Sequence, residues 1–290
     1  MSGLAPEEFL GDLEFEYRLI WEAVIGIDQK DPFFFDHPLD HVPAMLLIEA
    51  ALGLAGQAAA AGVGSPRRWH IGRLRLDFVR FCELSPPPVA RLWAVGAPGS
   101  WEVEFRQDGQ LIGQGTLEWR GGFGDWPEGS QERRRGAEVA ALSPEPVAAE
   151  LVHRSRPQNV LLGGVIGGCS AEMLTPPPGH YFRRRSSRLR TLGELIEAVR
   201  QFGTLVGHTE GGIPPGHQFI VKSCEVRLDR PLSRAQRVTL HLTQLRDRRG
   251  RGAGTVAVGI EASGQLAGAA SFTGQAVSAA AYRRIRAMGR

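Results

Sequence analysis

Hydrophobic and polar positions along this chain follow one plan, written twice. Leu13-Glu-Phe-Glu-Tyr-Arg-Leu19 alternates apolar and polar residues, the period of a half-buried strand. A loop over 33–40 follows. Pro43 then opens an apolar, alanine-rich helix running to about Ala61, since proline loses no donor in a first helical turn. Strands are expected over 74–82, 89–95, 101–107 and 111–119, with Asp108-Gly109 as a tight hairpin turn between the last two. The second half begins near Glu150 with a region of weak pattern. It continues with a helix over 192–209 and strands over 219–228, 238–245, 255–262 and 265–272, the last hairpin closed by Ser263-Gly264.

The first helix explains why the halves should associate. Met45, Leu46, Leu47 and Ile48 leave it almost no polar face, so it must be covered on nearly all sides. A single small sheet covers one side only. Two sheets joined edge to edge, with both helices on one face, cover the rest and remove exposed strand edges. The expected fold is therefore α+β, two antiparallel sheets each wrapped around a central helix, paired as a pseudodimer within one chain. Residues 1–120 form the first repeat and 150–290 the second. The intervening 121–149 begins Gly-Gly-Phe-Gly-Asp-Trp-Pro-Glu-Gly-Ser, the composition of a flexible linker.

Length and composition agree with this plan. A chain of 290 residues suits two modest domains, and 42% hydrophobic with 22% charged residues is ordinary for a globular protein. A net charge of +3 is too small to indicate nucleic acid as a partner. Lys30 and Lys222 are the only lysines, a bias that base composition explains. Cys82, Cys169 and Cys224 are scattered, without the spacing of a disulfide framework or a metal site. The N-terminus shows no basic segment leading into an apolar run, and no apolar stretch reads as membrane-spanning, so a cytoplasmic protein with no membrane partner is expected.

Two carboxylates interrupt apolar helix faces: Glu49 within Leu-Leu-Ile-Glu-Ala-Ala, and Glu197 within Leu-Ile-Glu-Ala-Val, with Gln201 one turn later. A desolvated carboxyl has a raised pKa and suits general acid/base work; the plainer alternative is a structural pair with an arginine such as Arg200. His37 and His41 precede the first helix, as His180 precedes the second. A neutral imidazole in such a place could take a proton from a substrate carbon while a glutamate protonates a leaving hydroxyl. Helix capping is the bland alternative for His41. His153, His208 and His217 read as structural, with His208 the first exception. Arg183, Arg184, Arg185 and Arg188 form the strongest basic run, a solvated loop or a dock for the phosphate of a pantetheine arm, an acidic carrier or a phosphorylated co-substrate. No Gly-rich nucleotide loop or nucleophile elbow is present, so no dissociable cofactor is expected beyond the phosphopantetheine arm or CoA of a substrate.

At these residues the chain resembles the A-factor biosynthesis hot-dog family, the γ-butyrolactone signal synthases. That family's Asp-His-Val-Pro-Gly-Met-Leu-Leu-Leu-Glu-Ala segment is matched by Asp40 to Ala50, and its Arg-Phe-Val-Arg-Tyr stretch by Asp77 to Phe81. Its Val-His-Arg, His-Pro-Phe and Glu-x-x-Arg-Gln segments and its Pro-x-x-x-x-Phe turn are similar to Val152-His153-Arg154, His180-Tyr-Phe, Glu197 to Gln201 and Pro215 to Phe219. Tyr282 to Arg286 resembles the end of that repeat. The resemblance implies a tandem hot-dog fold and transfer of a β-ketoacyl group to dihydroxyacetone phosphate. Here the repeats stand in swapped order, Leu52-Gly53 replaces an Arg-Gln, and the His-Asp-Pro preceding the second glutamate is missing around Arg190-Thr-Leu.

These departures direct attention to a wider likeness, the double hot-dog dehydratases of polyketide synthases, which pair a histidine of one repeat with an acid-x-x-x-Gln/His of the other. His37 or His41 with Glu197 and Gln201 fits that order. The leading expectation is thus dehydration of a 3-hydroxyacyl thioester carried by a carrier protein or CoA. His37 or His41 would take the α-proton and Glu197, oriented by Gln201, would protonate the leaving hydroxyl. Backbone N–H groups near Ala44 would polarise the thioester carbonyl. A-factor-type acyl transfer, with the 183–190 arginines holding a phosphate, is the alternative, and a non-catalytic acyl-binding or scaffold protein the third. A homodimer of pseudodimers stays open.

Overall fold

The computed structural model describes residues 20–62, 69–96, 99–121, 144–246 and 254–288. The first-repeat strand expected over 13–19 and most of the expected linker lie outside these residues. Strand β1 (Ile20–Val24) leads through a loop to helix α1 (Ala44–Gly62) and strands β2 (Trp69–Phe78), β3 (Val89–Ala94), β4 (Ser100–Gln107) and β5 (Gln110–Gly121). After two short 3-10 turns come β6 (Leu162–Ile166), β7 (Ser170–Met173), the short helix α2 (Tyr181–Arg185), β8 (Leu189–Arg190) and helix α3 (Leu192–Thr209). The chain continues with β9 (Gln218–Leu228), β10 (Leu232–Ser233), β11 (Val238–Arg246), β12 (Gly254–Ala262), β13 (Gln265–Val277) and helix α4 (Ala279–Met288).

Among the described residues eleven strands form one antiparallel sheet in the order β1-β3-β4-β5-β2-β9-β13-β12-β11-β7-β6. The two halves meet where β2 pairs β9, with Leu74 opposite Val226 and Leu76 opposite Cys224. These four side chains are buried and continue the core across the seam. On the other face Arg73 reaches Glu225 of the partner strand at 2.6 Å. The half-sheets thus join edge to edge, the arrangement the apolar helix requires, in a tandem hot-dog fold.

Helices α1 and α3 pack against one another, α1 also against β1 and β3 and α3 against β6 and β13. Ala51, Ala55 and Ala58 of α1 are fully or almost fully buried, so small side chains let backbone elements approach closely. By length and composition 44–61 is apolar enough to cross a membrane, which corrects the expectation that no stretch reads that way; half of that window is buried inside the fold. A helix enclosed by two half-sheets meets the same apolar demand as one in lipid.

Thr191 caps α3, its Oγ1 accepting from the Glu194 N–H at 3.1 Å. Glu194 itself is fully buried and held by Arg190 at 2.9 Å and Arg234 at 2.6 Å. Both hairpin turns take the form expected from Asp-Gly and Ser-Gly, with φ of 49° and 73° at Asp108 and Gly109, and 52° and 79° at Ser263 and Gly264.

Candidate active site

The loop before α1 and the first turn of α1 border a cavity of about 180 Å³ at the seam. Its wall includes His37, His41, Pro43, Ala44 and Met45 from the first half, and His153, Arg154, Arg200 and Phe219 to Val221 from the second. On one side it shares His37, His41, His153 and Arg154 with a vestibule of about 620 Å³ that adds His208, His217 and Arg283. On another it shares His153, Arg200 and Phe219 to Val221 with a channel of about 520 Å³ along α3, also lined by Gly203, Gly207, Val256 and Phe272. The histidines read as structural therefore border these cavities.

His41 is the best supported of the imidazoles here. Its Nδ1 lies 2.9 Å from Asp40 Oδ1. An ionised carboxylate only accepts, so Nδ1 carries the proton and Nε2 keeps its lone pair. Asp40 also receives the Tyr282 hydroxyl at 2.6 Å and Arg286 Nε at 3.0 Å. Burial alone would raise the Asp40 pKa, but Tyr282, His41 and Arg286 outweigh it and hold the carboxyl well below its usual range. Burial pushes His41 below its ordinary value while Asp40 pulls it upward. Arg286 is fixed in turn by Glu83, at 2.7 Å to each carboxylate oxygen, and lies over the Phe81 ring. Helix α4 thereby fastens the loop of the opposite repeat. His37 lines the same cavity, its pKa lowered by burial, with Asp36 opposing and Arg154 and Arg200 adding to the fall.

Glu197 reverses its expected electrostatics. It is fully buried, yet Arg154 Nη2, Arg200 Nη2 and Gln201 Nε2 all donate to Oε1 at 2.7 Å, and Arg200 Nε donates to Oε2 at 2.7 Å. Burial would raise its pKa, but the two guanidiniums and the amide bring it down to about 2. Glu197 is thus held as a carboxylate near neutral pH, and the raised pKa expected from sequence is corrected. The structural pairing with Arg200 holds, joined by Arg154 from 43 residues away. Gln201 also spans the Leu161 N–H and the Asn159 carbonyl at 2.8 Å each, tying α3 to the loop before β6.

Glu49 is the carboxyl whose pKa burial does raise, against the Tyr181 hydroxyl at 2.9 Å and the nearby Arg185. It borders none of these three cavities. Its Oε1 is buried without a hydrogen bond. His180 caps α2, its Nδ1 accepting from Phe182 N at 3.3 Å, and its ring packs edge-on against Phe33. Burial first, then Arg154, lowers its pKa to about 4. It too lies outside these cavities. Arg183, Arg184, Arg185 and Arg188 sit on and after α2 and border none of these cavities, Arg185 lying instead near Glu49. The cations that do face the cavity are Arg80, Arg154 and Arg200. Among the described residues no three His, Cys, Asp or Glu side chains converge as metal ligands.

Sequence reasoning passed over Asp40, Tyr282 and Arg286 as site residues. The signal available was the run Tyr282-Arg-Arg-Ile-Arg, noted only as a resemblance.

The sequence pattern of the A-factor biosynthesis hotdog domain matches this chain over 18–121 and again over 137–278. A 2-oxo-3-(phosphooxy)propyl 3-oxoalkanoate synthase of Streptomyces virginiae is 36% identical over 72 residues, 25% of this chain and 22% of that protein. The Streptomyces griseus enzyme of the same name is 34% identical over 99 residues, 32% of this chain and 30% of that one. The matched part thus spans less than a third of either relative. In solved structures the fold is similar to the dehydratase domain of the polyketide PpsC from Mycobacterium tuberculosis, with TM-score 0.52, 14% identity and 90% and 93% of the two chains covered. The dehydratase domain from the CurJ module of curacin polyketide synthase gives 0.54 at 11% identity, covering 92% and 95%. The 12:0-ACP thioesterase from Umbellularia californica gives 0.53 at 11%, covering 89% and 94%.

Proposed function

Because the chain belongs to the A-factor biosynthesis hotdog family, we propose that it transfers an acyl group from a thioester to the hydroxyl of a small phosphorylated acceptor. The observation that carries this reading is the Asp40–His41 pair beside the first turn of α1. His41 Nε2 takes the proton of the acceptor hydroxyl, and the oxygen attacks the thioester carbonyl carbon. Backbone N–H groups at Ala44 and Met45 stabilise the oxyanion. The C–S bond then breaks and His41 returns its proton to the departing thiolate. Arg80 and Arg200 are the cations that would face the acceptor phosphate. The channel along α3 would take the acyl tail, and a pantetheine arm from a carrier protein or CoA would arrive through the vestibule.

Dehydration loses ground on one point. Expulsion of a hydroxyl needs a proton donor, and Glu197, with a pKa of about 2, has no proton to give near neutral pH. The relatives named for a 2-oxo-3-(phosphooxy)propyl ester support the same choice, since that ester is the product of acyl transfer to a phosphorylated three-carbon alcohol. The test offers the protein 3-oxoacyl and 3-hydroxyacyl pantetheine thioesters with and without dihydroxyacetone phosphate. Thiol release that requires the phosphate is the expected result. Water loss from the 3-hydroxyacyl thioester without acceptor, or no turnover of any kind, sinks the proposal.

A further inference from the structure

Between Gly193 and Gly207 helix α3 is buried at every position except Arg200 and Gly203. The two stand three residues apart on one face of the helix, and both line the channel. Arg200 also lines the cavity beside His41, so Gly203 stands about one turn farther along the channel wall. The sheet forms the opposite wall. Val258 of β12 and Ala270 of β13 are buried in the core. Val256 and Phe272, two positions along the same faces and paired across the strands, are only partly covered and line the channel. Phe219, Val221 and Ile213 add to this apolar lining. The hydroxyls along it have protein partners: Thr204 donates to the Arg200 carbonyl at 3.0 Å, and Thr255 and Thr273 pair at 3.1 Å. A gap left among apolar side chains inside a fold is a cost that closer packing would remove.

Glycine inside a helix is less favourable than alanine, and α3 sets two on this wall, Gly203 and Gly207. Close packing accounts for Gly207, where a β-carbon would lie 3.0 Å from the Phe219 ring and 3.1 Å from Ile213 Cδ1. It does not account for Gly203. A β-carbon there would meet nothing nearer than Val256 Cγ1 at 3.8 Å, an ordinary van der Waals contact. Alanine would thus suit both the helix and its packing, yet the place is left empty. A longer side chain at 203 would lean back over the turn of Arg200, because helical side chains tilt towards the N-terminus. It would narrow the way from the cavity into the channel. We propose that Gly203 is a specificity-determining residue, which by lacking a side chain admits acyl tails that reach past Arg200. From Arg200 to Gly207 the wall runs about 10 Å along the helix axis, the reach of a medium-chain acyl group. Short acyl groups end before Gly203 and are indifferent to it.

The inference rests on the acyl-thioester reading, and one experiment separates the two. Amide-linked butanoyl and decanoyl pantetheine, which do not transfer their acyl groups, are titrated calorimetrically into the intact protein. The wild type should bind the decanoyl ligand on the order of a hundredfold more tightly, since the longer tail buries more apolar surface. Gly203→Leu should bring the two affinities within about threefold of each other by weakening the decanoyl ligand alone. Gly203→Ala, whose methyl meets Val256 without strain, keeps the test open should leucine prevent folding. It should raise the thermal unfolding midpoint and weaken the decanoyl ligand on the order of fivefold, with butanoyl binding as in the wild type. A higher midpoint with unchanged decanoyl affinity means that the glycine serves no ligand, and overturns its assigned role. Equal wild-type affinity for the two ligands, equal weakening of both, or a preference that survives in the folded variants does the same. Failure of both ligands to bind the wild type overturns the acyl-thioester reading itself, and this inference with it.

Discussion

A β-carbon added to Gly193 would lie 1.6 Å from Oε1 of Glu49. Glu49 leaves the second turn of α1 and presses its carboxyl onto the first turn of α3, so the two central helices are joined through a space that only glycine leaves open. Gly193→Ala must move the carboxyl or the helix and should destabilise the fold by about 1–3 kcal/mol. Urea denaturation measures the loss. Glu49→Ala in the same chain should recover part of it, and strictly additive effects would mean the contact is not the cause.

Glu49 also gives stability a pH dependence of definite sign. Its folded pKa is raised above the ordinary 4.5, so folded protein retains a proton that unfolded chain releases. Its contribution is most favourable below 4.5 and declines as pH rises through the folded value. Glu49→Gln keeps the shape and removes the titration. The variant should gain on the wild type as pH rises above 4.5. A constant difference between the two across that range contradicts a raised pKa.

Glu197 has the opposite sign. With a folded pKa of about 2 against an ordinary 4.5, its stabilisation is complete above 4.5 and is lost as pH falls towards 2. Glu197→Gln removes the counter-charge of Arg154 and Arg200 and should cost about 3–5 kcal/mol, the range for breaking a buried pair from one side. Loss of stability read by thermal unfolding, rather than loss of turnover alone, separates this scaffolding role from acid catalysis. A stable but inactive Glu197→Gln protein would reinstate the glutamate as a proton donor.

Much of the fold can be read from periodicity because the patterns are local. Leu192–Thr209 shows unbroken helical spacing and a Thr cap, and the expected helix coincides with it. Strands β3 to β5, β9 and β11 to β13 fall within a few residues of the alternating runs, with Gln265–Val277 extending past its expected end, while the two-residue β10 was not expected. Leu162–Ile166 and Ser170–Met173 carry too few alternating positions between glycines to stand out. Site chemistry is less legible because it depends on distant partners. Nothing near Glu197 announces Arg154, and Asp40 takes Tyr282 and Arg286 from more than 240 positions away. A buried carboxylate seen alone suggests a raised pKa; its arginines, unseen, invert the answer.

The Asp40–His41 pair supplies the most direct test of the proposed chemistry. Asp40 fixes the Nδ1–H tautomer of His41 and favours the imidazolium formed when Nε2 takes a proton. Asp40→Asn leaves side-chain volume nearly unchanged but offers an amide whose N–H can turn towards the ring and reverse the tautomer. Acyl transfer should fall on the order of 10²–10⁴-fold in kcat with KM changed far less, because the lost interaction forms with the developing charge. The remaining activity should also have its acid limb at lower pH, since His41 loses the charge that pulls its pKa upward against burial. Tyr282→Phe removes one of several donors to Asp40 and should have a much smaller effect. If Asp40→Asn retains full turnover with an unshifted pH profile, His41 is not the base, and His37 on the same cavity wall becomes the residue to examine.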